Sequence, residues 1–404
     1  MRILMLSDVY FPRVNGVSTS IQTFRRQLAQ LGHETLLIAP EYGDGGSAAD
    51  DEPGILRIPS HQILFDPEDR RMELRRILQH LPELRRRRFD LIHIQTPFVA
   101  HYGGVALSAR LRLPRVETYH TLFEEYLYHY VPFVPKAWMR ALARRFSRNQ
   151  CNNLDALVVP SGAVQQVLRA YGVTVPIEII PTGVELDKLA GGDGAAFRAR
   201  NGIAPGRPTL VHVGRVAFEK NIDFILRVLV RVRQSIPDVL LVISGEGPAS
   251  RHLRKLTRRL GLTGHVLFVG YQERTQGLLD CYRAGDVFVF ASRTETQGLV
   301  LLEAMALGVP VVAAAILGTK DILHPGKGAL VAELREDDFA AKIVTLLTDK
   351  ALREHLSREA QDHAREWAAR RMAERMSEFY GQIHQNRPRA AVDAVRTAAT
   401  GASD

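Results

Sequence analysis

The sequence predicts an α/β protein made of two doubly wound parallel sheets, and three observations carry that expectation. Eleven short apolar, β-branched runs recur along the 404 residues, most of them apolar throughout rather than alternating. Strands covered by helices on both faces read this way. Longer stretches with helical spacing separate the runs, and strand–helix alternation builds right-handed βαβ units. Eleven strands crowd one open sheet, and the glycine-rich break Leu189-Ala190-Gly191-Gly192-Asp193-Gly194 splits them into a series of six and a series of five.

The first series is 2–7, 35–39, 90–95, 115–119, 156–159 and 177–180; the second is 209–213, 240–244, 266–270, 287–290 and 309–313. Helical patterns between them include 17–31, 161–171, 223–235 and 251–260, and a last one runs from about 337 to 385. The expected organisation is a first domain over 1–190, a second over 191–362, a C-terminal helix over 363–385 and a disordered tail over 386–404, whose only large apolar residues are valines. In doubly wound sheets ligands bind beyond the carboxyl ends of the strands, so the chemistry is expected in a cleft between two facing domains.

Composition narrows the classes. Hydrophobic residues make up 46% and charged residues 24%, which excludes a largely disordered chain. Lys and Arg number 53 against 44 acidic residues, a net charge of +9 that calls for an anionic partner. Two cysteines, Cys151 and Cys281, make neither a disulfide framework nor a metal cluster, and point to a reducing compartment. The run Ile3-Leu4-Met5-Leu6 is too short for a signal peptide. The uncharged stretch 304–317 contains Gly308 and Pro310 and is too short to span a bilayer.

Four segments, each at the carboxyl end of an expected strand, carry the chemistry. In Glu295-Thr296-Gln297-Gly298-Leu299-Val300-Leu301-Leu302-Glu303, two carboxylates straddle a glycine turn and a helix start. The N–H groups of Gly298, Leu299 and Val300 then offer an anion site, with Glu303 and Glu295 as acceptors for sugar hydroxyls. The alternative is a helix whose dipole favours one glutamate while the other is solvated. In Gly214-Arg215-Val216-Ala217-Phe218-Glu219-Lys220-Asn221, Arg215 and Lys220 can clamp two phosphates of a leaving group that gains charge; the alternative is an exposed loop. In the segment 8–17, Asn15-Gly16 makes a tight turn before a helix, and Gly16 permits close approach of a ligand. The fourth segment is Thr118-Tyr119-His120-Thr121-Leu122-Phe123-Glu124-Glu125-Tyr126, with His120 on the expected rim.

Together the four segments resemble the retaining family-4 glycosyltransferases of the GT-B fold, in the same order over nearly the whole chain. The resemblance implies two facing Rossmann-like domains, a nucleotide-sugar donor held mainly by the second, retained anomeric configuration and no metal or cofactor. It assigns Arg215 and Lys220 to the diphosphate, Glu303 to the ribose and Glu295 to the donor sugar. Gly16 would let the phosphate approach, and His120 would lie near the reacting carbon. It also implies a last helix that crosses back to the first domain, which suits 367–380. Gln297 stands where many members carry an aromatic residue, and Glu-Thr-Gln-Gly-Leu together with the 120–130 segment looks like the bacterial diacylglycerol glycosyltransferases, commonly users of UDP-glucose.

A basic helix adds a second partner. No acidic residue occurs from 126 to 154, and Lys136, Arg140, Arg144 and Arg148 recur every four residues. At 100° per residue they span about 120°, while Trp138, Met139, Leu142 and Phe146 fill a separate arc of about 100°. Val131-Pro132-Phe133-Val134-Pro135 adds apolar bulk before it. This is the pattern of an interfacial helix on an anionic membrane; the alternative packs Trp138 and Leu142 on the core. Arg85-Arg86-Arg87-Arg88 either extends the basic surface or forms a solvated loop.

The expectation is therefore a cytoplasmic enzyme on the inner face of the cell membrane, moving a hexose, glucose in the first place, from UDP-glucose or another UDP-hexose to a diacylglycerol-type lipid. Its alternatives are a glycan-directed transferase using GDP-mannose, a GT-B sugar-nucleotide epimerase and a non-catalytic binding protein. Nucleic acid is disfavoured for want of any recognition motif. A dinucleotide oxidoreductase is disfavoured because no Gly-x-Gly-x-x-Gly follows the first strand, and Gly245-Glu246-Gly247 alone is weak.

Overall fold

The computed structural model describes residues 1–42, 53–63, 66–120, 122, 136–273 and 276–386. Two compact units emerge: residues 1–183 with 370–404, and residues 184–369.

The first unit holds a seven-stranded parallel sheet in the order β3-β2-β1-β6-β7-β8-β9. Its strands are β1 (Arg2–Leu6), β2 (Glu34–Pro40), β3 (Ile55–Ile58), β6 (Leu91–Ile94), β7 (Arg115–Thr118), β8 (Ala156–Val159) and β9 (Ile177–Ile179). A separate antiparallel hairpin joins β4 (Ser60–Ile63) to β5 (Asp66–Met72). The second unit holds a six-stranded parallel sheet in the order β12-β11-β10-β13-β14-β15. Its strands are β10 (Thr209–Val213), β11 (Leu240–Ser244), β12 (Val266–Gly270), β13 (Val287–Phe290), β14 (Val311–Ala313) and β15 (Ala329–Val331).

Both sheets follow the doubly wound order in which the third, second and first strands precede the fourth. The order reverses between β1 and β6 in one unit and between β10 and β13 in the other, and at those two places adjacent crossovers leave in opposite directions. All eleven expected strands are present with ends within two residues; buried runs such as Leu91–Ile94 and Val287–Phe290 are too short for a helix and satisfy their backbone by pairing with neighbouring strands. The four further strands, β3, β4, β5 and β15, carry polar residues or are only three residues long, and so lack a clear apolar run.

The compact units divide a few residues from the expected bounds. Residues 184–190 belong to the second unit, because Val184 N–H donates to Trp367 O at 2.9 Å and Ala369 N–H donates to Val184 O at 2.9 Å. Leu186 and Leu189 pack against the second unit's core. The 337–385 pattern is three helices, Glu336–Thr348, Lys350–Glu366 and Ala369–Gln385. The second begins where the Asp349 side chain caps Leu352 N–H at 2.9 Å. The chain re-enters the first unit at Arg370, and Met372, Ala373, Met376, Phe379 and Tyr380 of the third helix join the core built on Ile3, Met5, Val116 and Val158. Asn386 follows that helix, its N–H donating to Gln382 O at 3.0 Å; the rest of the expected tail lies outside the described residues. Among the described residues no helix is long and apolar enough to cross a membrane, and both cysteines are free and buried.

Candidate functional site

The second unit's switch point is where its sequence-selected residues converge. Gly214–Lys220 leaves the end of β10, and the segment carrying Glu295 leaves the end of the neighbouring β13. The Lys220 ammonium donates to Glu295 Oε1 at 2.5 Å, with side chains 22% and 17% exposed. Two residues assigned separately to diphosphate and sugar are thus in direct contact. One Glu295 oxygen engages one of the three ammonium hydrogens, so a phosphate oxygen can be met by another. Asn221, in the left-handed region at φ 58°, follows at once and its amide donates to Ala291 O at 3.1 Å, tying the two loops together. Arg215 is more open and sits 3.8 Å from Glu219. Below them His212 of β10 donates from Nδ1 to Val289 O at 3.0 Å, and burial pushes its pKa down to about 4, so it adds no charge at neutral pH.

The carboxylate segment turns on Gly298, whose φ of 100° favours glycine and whose absent Cβ would lie 3.0 Å from Thr319 Cγ2. The helix begins at Leu299, so Gly298 caps it rather than forming its first turn. Leu301 N–H is bound to Gly298 O, which leaves the N–H groups of Leu299 and Val300 without an intrahelical partner, a local positive pole. Glu303, one turn on, is buried and accepts from the Tyr282 hydroxyl at 2.8 Å.

In the first unit, Asn15 caps the helix Gly16–Gln30, its side chain accepting from Ser18 N–H at 2.8 Å. Gly16 faces open space where a Cβ would stand. His120 follows β7, and its Nε2 donates to Gln95 Oε1 at 3.2 Å. Burial lowers its pKa to about 4, so it acts as a neutral hydrogen-bonding group rather than a cation. Two residues earlier Thr118 Oγ1 meets His93 Nε2 at 2.7 Å, and His93 Nδ1 meets the Tyr380 hydroxyl at 2.5 Å. Burial takes His93 down to about 3. The His120 strand end is thereby tied to the helix Ala369–Gln385 through a buried imidazole.

The helix Lys136–Cys151 divides the expected apolar arc. Met139 turns inward with Ala143 and Ser147, where the Tyr119 hydroxyl lies 3.0 Å from Ser147 Oγ. Trp138 and Leu142 do not pack on the core; they are 77% and 62% exposed. Phe146 is half-buried, Arg148 is exposed, and the Arg144 guanidinium lies over the Tyr171 ring at 5.5 Å. Arg145, not singled out from sequence, falls at 180° on the wheel between Arg148 and Trp138 and is exposed. The side chains of Lys136 and Arg140, and residues 131–135, lie outside the described residues, as do Thr121 and residues 123–130. Arg85, Arg86 and Arg87 end the helix Leu81–Arg87, with Arg87 paired to Glu83 at 2.8 Å.

Three groups escaped the sequence reading. Gly245 and Gly247, weak as a dinucleotide motif, pack against the cationic loop: a Cβ on Gly245 would fall 1.9 Å from Gly214 O, and one on Gly247 2.4 Å from Val216 O. Gly318 N–H donates to Glu295 O at 2.9 Å, and a Cβ there would meet Thr296 O at 1.8 Å. Paired glycines at a strand end were the available signal for the first; nothing in the sequence marked the second. Asp8, at the end of β1, accepts from Thr96 Oγ1 at 2.8 Å and Ala100 N–H at 3.1 Å, and burial raises its carboxyl to about 7. Among the described residues no three His, Cys, Asp or Glu side chains are grouped to hold a metal ion.

Comparison with known proteins matches the two halves of the chain to two family models. Residues 14–188 match the model "Glycosyltransferase Family 4", and residues 193–363 match "Glycosyl transferases group 1". The alpha-monoglucosyldiacylglycerol synthase of Streptococcus pneumoniae is 32% identical over 390 residues, covering 94% of this chain and 85% of that protein. The GDP-mannose-dependent alpha-mannosyltransferase of Mycobacterium tuberculosis is 28% identical over 344 residues, covering 83% and 85%. Among solved structures, Anabaena HepE in complex with UDP superposes with a TM-score of 0.76 at 19% identity, covering 95% of this chain and 100% of that one.

Proposed function

Because this chain belongs to the family-4 glycosyltransferases of the GT-B fold, we propose that it moves a hexose from a UDP-sugar to a diacylglycerol-type lipid at a membrane surface. One observation carries the donor half: Lys220 and Glu295 meet at the reversal of the second sheet, and the segment that carries Glu295 runs on to the N–H groups of Leu299 and Val300, which have no intrahelical partner. Cationic and dipolar donors there suit a diphosphate, while two carboxylates suit the hydroxyls of ribose and sugar. The diacylglycerol named in the pneumococcal relative and the UDP held by HepE support the choice of acceptor and donor. The exposed Trp138 and Leu142, flanked by Arg145 and Arg148, support peripheral attachment to the cytoplasmic face of the membrane.

The proposed chemistry retains the anomeric configuration and uses no metal. The acceptor hydroxyl oxygen bonds to the anomeric carbon on the face that the departing diphosphate vacates. The bond from that carbon to the diphosphate breaks, and a phosphate oxygen takes the hydroxyl proton. Lys220 and Arg215 neutralise charge developing on the leaving group.

Incubation with UDP- and GDP-sugars, with and without diacylglycerol, tests the reading. Hexosyl-diacylglycerol formed from a UDP-sugar supports it. Mannosyl transfer from GDP-mannose to another acceptor would replace it with the reading that the mycobacterial relative favours. Conversion of the donor with no acceptor would replace it with an epimerase.

A further inference from the structure

The helix Ser250–Arg259 of the second unit carries five cations, Arg251, Arg254, Lys255, Arg258 and Arg259, and no acidic residue. At 100° per residue the five span about 140°, opposite an arc that holds Leu253, Leu256, Thr257 and Leu260 against the unit. All five are exposed. Among the described residues none of Arg251, Lys255, Arg258 and Arg259 has an ion-pair partner, while Arg254 lies over the Phe268 ring at 4.4 Å. Two more guanidiniums border the loop that leaves the helix: Arg233 donates to Gly261 O at 2.7 Å and Arg207 to Gly264 O at 2.7 Å.

The preceding helix, Ile222–Ser235, is treated differently. There Arg227 pairs with Asp223 and Glu336, and Arg231 lies within 3.5 Å of Asp337. In the 250–259 helix, by contrast, Arg251, Lys255 and Arg259 stand four apart, as do Arg254 and Arg258. Like charges at that spacing weaken a helix, and an anionic surface relieves the repulsion.

We propose that the helix Ser250–Arg259 is a docking face for an anionic lipid bilayer, separate in sequence and in structural unit from the helix Lys136–Cys151. The choice of a bilayer over another polyanion rests on the lipid-acceptor reading. It is also favoured because the helix carries no Phe, Tyr or Trp on which bases could stack, and its one imidazole, His252, is engaged by Phe218 at 5.6 Å between centroids.

The test is co-sedimentation of the full chain with phosphatidylglycerol–phosphatidylcholine vesicles over a range of salt. The triple variant Lys255→Gln, Arg258→Gln, Arg259→Gln is compared with wild type, and UDP binding and melting temperature serve as controls for folding. Each cation near an anionic leaflet multiplies partition about fivefold, so the variant is expected to bind about a hundredfold more weakly with both controls unchanged. Unaltered partition overturns the proposal. So does tighter binding of the wild type to duplex DNA than to the vesicles at equal salt. Hexosyl transfer to diacylglycerol in detergent micelles is measured separately. Failure there removes the acceptor reading, whereas failure of the vesicle experiment removes only the docking face.

Discussion

The Tyr282 hydroxyl donates to Glu303 Oε2 at 2.8 Å, inside the second unit where both side chains are buried. Tyr282 comes from the helix Gln276–Arg283, so the carboxylate proposed for the ribose is aimed by an element with no motif residue of its own. Tyr282→Phe keeps the ring and removes only the donor. A hydrogen bond to a charged group contributes about 1.5 kcal/mol or more, so donor KM is expected to rise about tenfold with kcat nearly constant. Equal affinity for UDP and a deoxyribose analogue in the variant, against discrimination in the wild type, would place the effect on the ribose. A variant that lowers melting temperature alone would contradict it.

Lys220→Ala removes the cation that meets Glu295 at 2.5 Å. Turnover should fall at least ~100-fold, the scale of one lost electrostatic contact to a developing charge. Circular dichroism should show the fold retained, since the side chain is partly exposed and leaves no core cavity. Near wild-type turnover would sink the role given to Lys220.

Gly245→Ala places a methyl 1.9 Å from Gly214 O at a φ of 130° that other residues rarely adopt. The strain is on the order of 1–3 kcal/mol and is relieved only by moving the loop that leads to Arg215 and Lys220. Both melting temperature and UDP affinity should therefore drop. A fall in stability with UDP affinity intact would mean that the two loops are not mechanically linked.

Trp138→Ala and Met139→Ala separate membrane contact from packing. Trp138 is 77% exposed, so its removal should change stability by no more than about 0.5 kcal/mol while weakening vesicle binding. Met139 is buried, and its truncation should cost about 2 kcal/mol or more. Chemical denaturation and vesicle co-sedimentation of both variants check this. Vesicle binding unaffected by Trp138→Ala would exclude that face.

Asp8 gives stability a pH signature. Its folded pKa of about 7 lies above 3.8, so the native state holds the proton more tightly than the unfolded chain and loses stability as pH rises from about 4 to about 7. His93 and His212 act in the opposite sense. Their folded values of about 3 and about 4 lie below 6.5, so their contribution is complete above 6.5 and is lost as pH falls. Asp8→Asn removes the contribution that falls with pH. Stability of the variant relative to wild type should increase with pH across that window by up to about 1.4 kcal/mol per unit, measured by urea unfolding at several pH values. A pH-independent difference would mean that Asp8 does not titrate there.

Much of the fold was legible because parallel strands buried on both faces are apolar throughout; Val287–Phe290 and Leu240–Ser244 are short runs of that kind. β3, which carries Arg57, was not legible: among the described residues it pairs with β2 alone, and its arginine is held by Pro40 O and Phe11 O through chain folding that no local pattern reports. The glycine-rich break marks where the two strand series part, but the seam between the compact units lies a few residues away, where Val184 bridges Ala368, residues far apart in sequence.

The sequence by itself determined the strand series, the order of the motif residues at strand ends and the excess of positive charge. Those depend on local burial, on glycine conformation and on composition. Only tertiary structure decided that Lys220 pairs with Glu295, that Tyr282 aims Glu303 and that Met139 turns inward while Trp138 stays in solvent. It also decided that Arg227 and Arg231 of Ile222–Ser235 meet carboxylates while, among the described residues, the cations of Ser250–Arg259 do not. Each of these depends on which distant surfaces pack together, and a side chain's partner across 75 residues of chain, as for Lys220 and Glu295, leaves no trace in its neighbours.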